Sequence, residues 1–111
     1  MILRKKTALV KYKVGVHMRI YPTKKVGVVY QQTRKGHTEE FYHTKSTFIY
    51  YVIAGKGTWV IEGKKYTVAA GDVVVIPPKN RFYFRGNLKQ VLITTPAYNS
   101  QFEHHLRDIY F

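Results

Sequence analysis

Thr47-Phe48-Ile49-Tyr50-Tyr51-Val52-Ile53-Ala54-Gly55-Lys56-Gly57 and, after a lysine-rich stretch, Gly71-Asp72-Val73-Val74-Val75-Ile76-Pro77-Pro78 are the segments that decide the fold. Both are β-branched and aromatic runs closed by glycine or proline, which is how short strands read. Outward from them the same pattern predicts strands near Leu9–Val14, His17–Tyr21, Val26–Gln32, Glu39–Tyr42, Thr47–Ile53, Gly57–Ile61, Lys65–Ala69, Val73–Ile76, Arg81–Arg85 and Gln90–Thr94. So many short strands leave no room for crossover helices. The fold class is all-β: an antiparallel jelly roll or barrel, whose closure buries both faces and removes open edges. Gly55-Lys56-Gly57, Glu62-Gly63-Lys64 and Arg85-Gly86-Asn87 are expected to be tight turns in which glycine supplies positive φ. Ser100-Gln101-Phe102-Glu103 has the form of a capping box and predicts a short C-terminal helix over Gln101–Ile109.

A chain of 111 residues is expected to form a single domain, 1–111. It has no cysteine, which excludes disulfides, thiolate metal sites and cysteine nucleophiles. The basic trio Arg4, Lys5, Lys6 has no long apolar follow-on, and the apolar run Phe48–Ala54 falls far short of the roughly 20 residues that span a bilayer. A cytoplasmic location with no membrane partner is the expectation. Nineteen Lys and Arg against six Asp and Glu give a net charge of +13, a field that attracts phosphates, carboxylates and nucleic acid. The cations are scattered as pairs such as Lys24-Lys25, Arg34-Lys35 and Lys64-Lys65, which suits a solvated surface as well as a binding face.

From Glu39 to Thr95 the chain resembles the cupin superfamily, whose first motif is G-x5-H-x-H-x3,4-E-x6-G and whose second is G-x5-P-x-G-x2-H-x3-N. Gly55 closes the first motif, and Gly71 with Asp72 and Pro77 opens the second. Counted from these anchors, the family's ligand positions fall at Phe41, His43, Phe48 and Phe82. Only one of the four retains a donor. The resemblance thus implies the barrel but not the metal chemistry, because a lone imidazole cannot hold a transition ion. His37 shares strand parity with Phe41 and His43, and a slip of the alignment brings it toward the mouth. Two histidines without a carboxylate still make a poor site. No cofactor and no metal are expected.

Alternation points Phe41, His43, Phe48, Tyr50, Val52, Phe82 and Phe84 into the barrel, with Trp59, Ile61, Tyr66 and Val68 at matching parity. Such an interior either holds an anionic or aromatic small molecule or is simply a packed core. The residues expected to bind a ligand are Phe41, Phe48, Tyr50, Trp59, Phe82 and Phe84 inside, with Lys45 and Arg81 at the rim. His43 is the expected general base. Metal-independent members of the resembled family isomerise or epimerise nucleotide-linked keto sugars with a histidine base, and that is the alternative reading. A third is a basic nucleic-acid or dimeric scaffold module, carried by the interleaved tract Lys79–Asn87. A homodimer is expected through the outward apolar residues Ile49, Tyr51 and Ile53.

Overall fold

The computed structural model describes all residues, Met1–Phe111. Nine strands run β1 (Leu9–Lys13), β2 (Val16–Tyr21), β3 (Gly27–Thr33), β4 (Glu39–His43), β5 (Thr47–Ile61), β6 (Lys64–Ala69), β7 (Val73–Ile76), β8 (Phe82–Thr95) and β9 (Glu103–Asp108), with short 3₁₀ turns at Lys5–Thr7 and Ser100–Phe102. Every pairing is antiparallel. The sheet follows the order β1-β2-β3-β8-β4-β9, and β5 joins it by pairing with β8, β6 and β7. The sheet curls on itself, and its inner face carries the core.

The long strand β8 is the spine. One edge pairs with β5 along nearly its full length, from Ile61↔Phe82 to Thr47↔Thr95, and the other takes β3 and, at Phe82, β4. The segments expected as four separate strands are therefore two. Gly55-Lys56-Gly57 and Arg85-Gly86-Asn87 are not turns but the place where these two strands approach most closely: Gly57 stands opposite Gly86, and a Cβ on Gly86 would lie 2.5 Å from the Lys56 carbonyl oxygen. Glycine is required there by contact as much as by its φ of 131°. A bulge between Val52 and Ala54 shifts the parity of β5, so that Tyr50 before it and Trp59 after it face the same interior. Glu62-Gly63 is the expected two-residue turn, with φ of 49° and 79°.

The core is aromatic. Trp59 stacks on Phe84 at 4.7 Å, Tyr50 meets Trp59 edge-on at 5.7 Å, and Phe41 lies 4.8 Å from Phe82. Val52 and Val68 are buried with them and Ile61 packs against them, but Tyr66, expected inside, is 48% exposed at the hairpin end although it pairs with Trp59.

The C-terminal helix expected over Gln101–Ile109 is a strand. β4 touches β8 only at Phe82 and needs a partner for its other edge; β9 supplies it. Side chains fix the pairing. The Glu40 carboxylate, 2% exposed, accepts from Arg107 Nε at 2.8 Å, and His104 stacks on Tyr42 at 4.8 Å. His105 meets Glu39 at 2.9 Å. The capping box fails because Asn99, not Ser100, caps the turn, accepting from the Gln101 amide at 3.0 Å, and the Glu103 carboxylate is taken elsewhere. A nine-residue helix has too little intrinsic stability to compete with those contacts.

Candidate functional site

The curled sheet encloses a chamber of about 340 Å³ between the inner faces of β1–β3 and the aromatic core, closed at one side by the Ala97–Ser100 loop and the start of β9. That volume is at the lower end of ordinary small-molecule sites. Its wall is apolar at Val16, Met18, Ile20, Val29, Phe41 and Leu92, and polar groups converge on it from four directions.

His37 enters from the segment between β3 and β4. Gly36, at φ 125°, packs so tightly against β8 that a Cβ would lie 2.3 Å from the Phe84 carbonyl oxygen, and the next amide, His37 N–H, donates to that oxygen at 2.8 Å. The Gly36 amide donates to Thr33 Oγ1 at 2.9 Å. The backbone under His37 is thereby fixed at three points. Its ring lies 5.1 Å from Phe41 and 5.3 Å from Phe84, and Nδ1 donates to the Glu39 carbonyl. That bond places the proton on Nδ1 and leaves Nε2 with a lone pair and no protein partner. Burial lowers the pKa of the ring to about 4, against smaller opposing effects from the Glu39 carbonyl and the Glu103 carboxylate. His37 is therefore neutral at ordinary pH.

Tyr50, from β5, is buried and its hydroxyl makes no hydrogen bond to protein. Burial holds its pKa well above the ordinary value, reinforced by the charge of Glu103, so it stays a phenol and a donor. Tyr98 donates to the Glu103 carboxylate at 2.8 Å and is likewise held protonated, by burial first and by that hydrogen bond second. Lys13 Nζ lies 3.6 Å from the same carboxylate. On β3, Gln31 accepts from Gln90 Nε2 at 2.9 Å, which turns its own NH₂ group into a free donor on the wall.

The residues expected from sequence are distributed differently. Phe41, Phe48 and Tyr50 line the chamber; Trp59, Phe82 and Phe84 are packed beneath it. Lys45 and Arg81 are not at its rim: Lys45 sits over the Phe102 ring at 5.3 Å, and Arg81 pairs with Glu62 at 3.2 Å beside the β5–β6 hairpin. The cations at the mouth are Lys11 and Lys13. His43 has no nitrogen to offer a substrate. Its Nδ1 accepts the Ser46 amide at 2.9 Å and its Nε2 faces the Asn99 carbonyl at 3.0 Å, so it ties the β4–β5 turn to the loop that carries Tyr98. The Lys79–Asn87 tract is also engaged. Phe82 and Phe84 are core, Tyr83 lies under Arg107 at 5.8 Å, and Arg85 over Phe111 at 5.3 Å.

A metal does not fit these residues. Phe41, Phe48 and Phe82 form one mutually packed triangle, with centroid separations of 4.8 to 5.8 Å, at the family's ligand positions. His43 beside them is spoken for by the backbone, and no group of three or more His, Asp or Glu side chains elsewhere could hold an ion. Sequence reasoning missed Glu103, Tyr98 and Lys13, because one was assigned to a helix and the others to unremarkable loop and strand positions. His37 was noticed through its parity only as a candidate metal ligand, and the role of base was assigned to His43 instead.

A family model described as a cupin domain matches residues 28–93. The chain is 28% identical to Streptomyces PAC13, a nucleoside dehydratase, superposing with a TM-score of 0.95 over 99% of this chain and 93% of that one. A PAC13 variant solved with uridine matches at 27% identity and a TM-score of 0.96 over the same shares. KdgF from Halomonas, at 17% identity and a TM-score of 0.77 over 91% of this chain and 97% of that one, shares the fold. An uncharacterized protein of Methanocaldococcus jannaschii is 40% identical over 37 residues, which is 33% of this chain and only 30% of that protein.

Proposed function

The chain belongs to the cupin family, and from that premise we propose that it binds a nucleoside-class molecule in the chamber and eliminates water from its sugar without a metal. One observation carries the reading: His37 presents a neutral, unpartnered Nε2 to the chamber while its Nδ1 proton is locked on the Glu39 carbonyl. The whole-length likeness to a nucleoside dehydratase supports the substrate class.

Elimination breaks a C–H and a C–O bond on adjacent carbons. A base as weak as His37 removes only an acidified proton, so the substrate carries a carbonyl next to that C–H bond. His37 Nε2 takes the proton and the electron pair moves onto the carbonyl oxygen. There the Tyr50 phenol, held protonated, donates a hydrogen bond to the developing charge. As the carbonyl reforms, the neighbouring C–O bond breaks, and the His37 imidazolium, a strong acid in this buried setting, gives its proton to the departing hydroxyl. Water leaves and the base is regenerated. The Gln31 NH₂ suits a carbonyl of the nucleobase, and Glu103, held between Tyr98 and Lys13, stabilises the transient imidazolium.

The keto-sugar isomerase reading starts with the same proton abstraction and differs in the product. Incubation with carbonyl-bearing nucleosides followed by mass spectrometry separates the two: loss of one water supports elimination, and a product of unchanged mass supports isomerisation. His37→Gln is expected to retain ligand binding by thermal shift and to lose turnover. Undiminished turnover in that variant rejects the assignment.

A further inference from the structure

A second, wider concavity lies outside the chamber. An open groove of about 930 Å³ lies on the outer side of β1, β2 and β3, walled by the segment that leads into His37 and by the residues after β9. Its floor is set by cross-strand register. Tyr12 stands opposite His17, their rings 4.4 Å apart, and Arg19 stands opposite Tyr30 on the next strand. Arg34 and Lys35 rise from the end of β3. Rings and cations therefore share one face, because alternation sends the other side chains of these strands inward. A single acid borders the groove, Asp108, and it lies 3.4 Å from His105.

We propose that this groove is a second binding site, separate from the chamber, for single-stranded nucleic acid. The groove is too open to bury a small ligand. It offers what a strand needs: flat rings on which bases stack, with Arg19, Arg34 and Lys35 placed to meet phosphates. The site is complementary in charge to a polyanion on a chain of net charge +13. Three of the nineteen Lys and Arg, Arg19, Arg34 and Lys35, meet in it although Arg19 is far in sequence from the Arg34-Lys35 pair.

The test is fluorescence anisotropy with a short labelled oligouridylate. Three phosphate contacts on a single strand give a log–log salt slope near −2, so affinity falls roughly 20-fold between about 50 and 200 mM salt. In Arg34→Gln/Lys35→Gln one contact remains and the fall shrinks to about 3-fold. Tyr12→Ala weakens binding at every salt concentration and leaves the slope unchanged. Lys64→Gln/Lys65→Gln, on the β5–β6 hairpin, removes the same charge elsewhere and leaves affinity within about 2-fold at a fixed salt concentration. Three results overturn the proposal: the hairpin variant losing as much affinity as the groove variant, free uridine monophosphate binding as tightly as the oligomer, or excess uridine displacing the strand and so placing it in the chamber.

Discussion

Replacing His37 by glutamine removes a buried group whose proton affinity changes on folding, and the acid sensitivity of the protein reports it. The ring titrates at about 4 in the folded chain against an ordinary value of 6.5. The lowered value means that the unfolded chain binds the proton first. Stability supplied by a neutral His37 is complete above about pH 6.5 and drains as the pH falls toward 4. Between about pH 7 and 4.5 the linkage comes to about 2 kcal/mol. Lys13 and Glu103 are the charges that face the ring, Lys13 lowering and Glu103 raising its pKa, and both are unchanged in the variant. Urea denaturation of parent and His37→Gln at the two pH values isolates the histidine as the difference of differences. The parent is expected to lose about 2 kcal/mol more than the variant. Equal losses would refute the account of a neutral, desolvated imidazole, and with it the base.

Gly36→Ala forces a side chain into the Phe84 carbonyl at a φ that alanine resists, so the His37 loop shifts; ligand-induced thermal stabilisation is expected to vanish while far-UV circular dichroism is retained. Phe82→Ala opens a cavity at the centre of the phenyl triangle and is expected to cost about 3–5 kcal/mol in urea denaturation. Val14, β-branched and at φ 50° in the β1–β2 turn, is strained; Val14→Asn is expected to raise stability by about 0.5–1 kcal/mol, measured the same way. The outward face of β5 and β7 exposes Tyr51 (50%), Ile53 (46%), Val73 (54%) and Val75 (55%) side by side, and self-association through it predicts a dimer in sedimentation equilibrium that Tyr51→Glu converts to a monomer. A monomeric parent removes that reading.

Period-two alternation was enough to find the strand segments from Leu9 to Thr94, though not β9 or the continuity of β5 and β8, and the inward set Phe41, Phe48, Tyr50, Phe82 and Phe84, because burial of one sheet face imposes it directly. Residues whose role comes from distant pairing were not legible. Gly57 and Gly86 look like turn glycines until β5 and β8 are laid side by side, and Ser100–Glu103 looks like a cap until the bare edge of β4 is known. At the site the same rule holds. The sequence favours His43 as the base, and only the carbonyls of Glu39 and Asn99 and the amide of Ser46 show that it is His37 whose ring keeps a free nitrogen. Lys45 and Arg81 were placed at the mouth by proximity along the chain, whereas the curl of the sheet brings Lys11 and Lys13 there instead.

The strand that displaced the expected helix brings Glu103 to the chamber, and the same strand covers the free edge of β4. Its Arg107 meets the buried Glu40 carboxylate, so the contact that completes the sheet and the acid that serves the chamber arrive on one short segment. Damage to this one segment is therefore felt twice, as a bared sheet margin and as a pocket that has lost a negative charge.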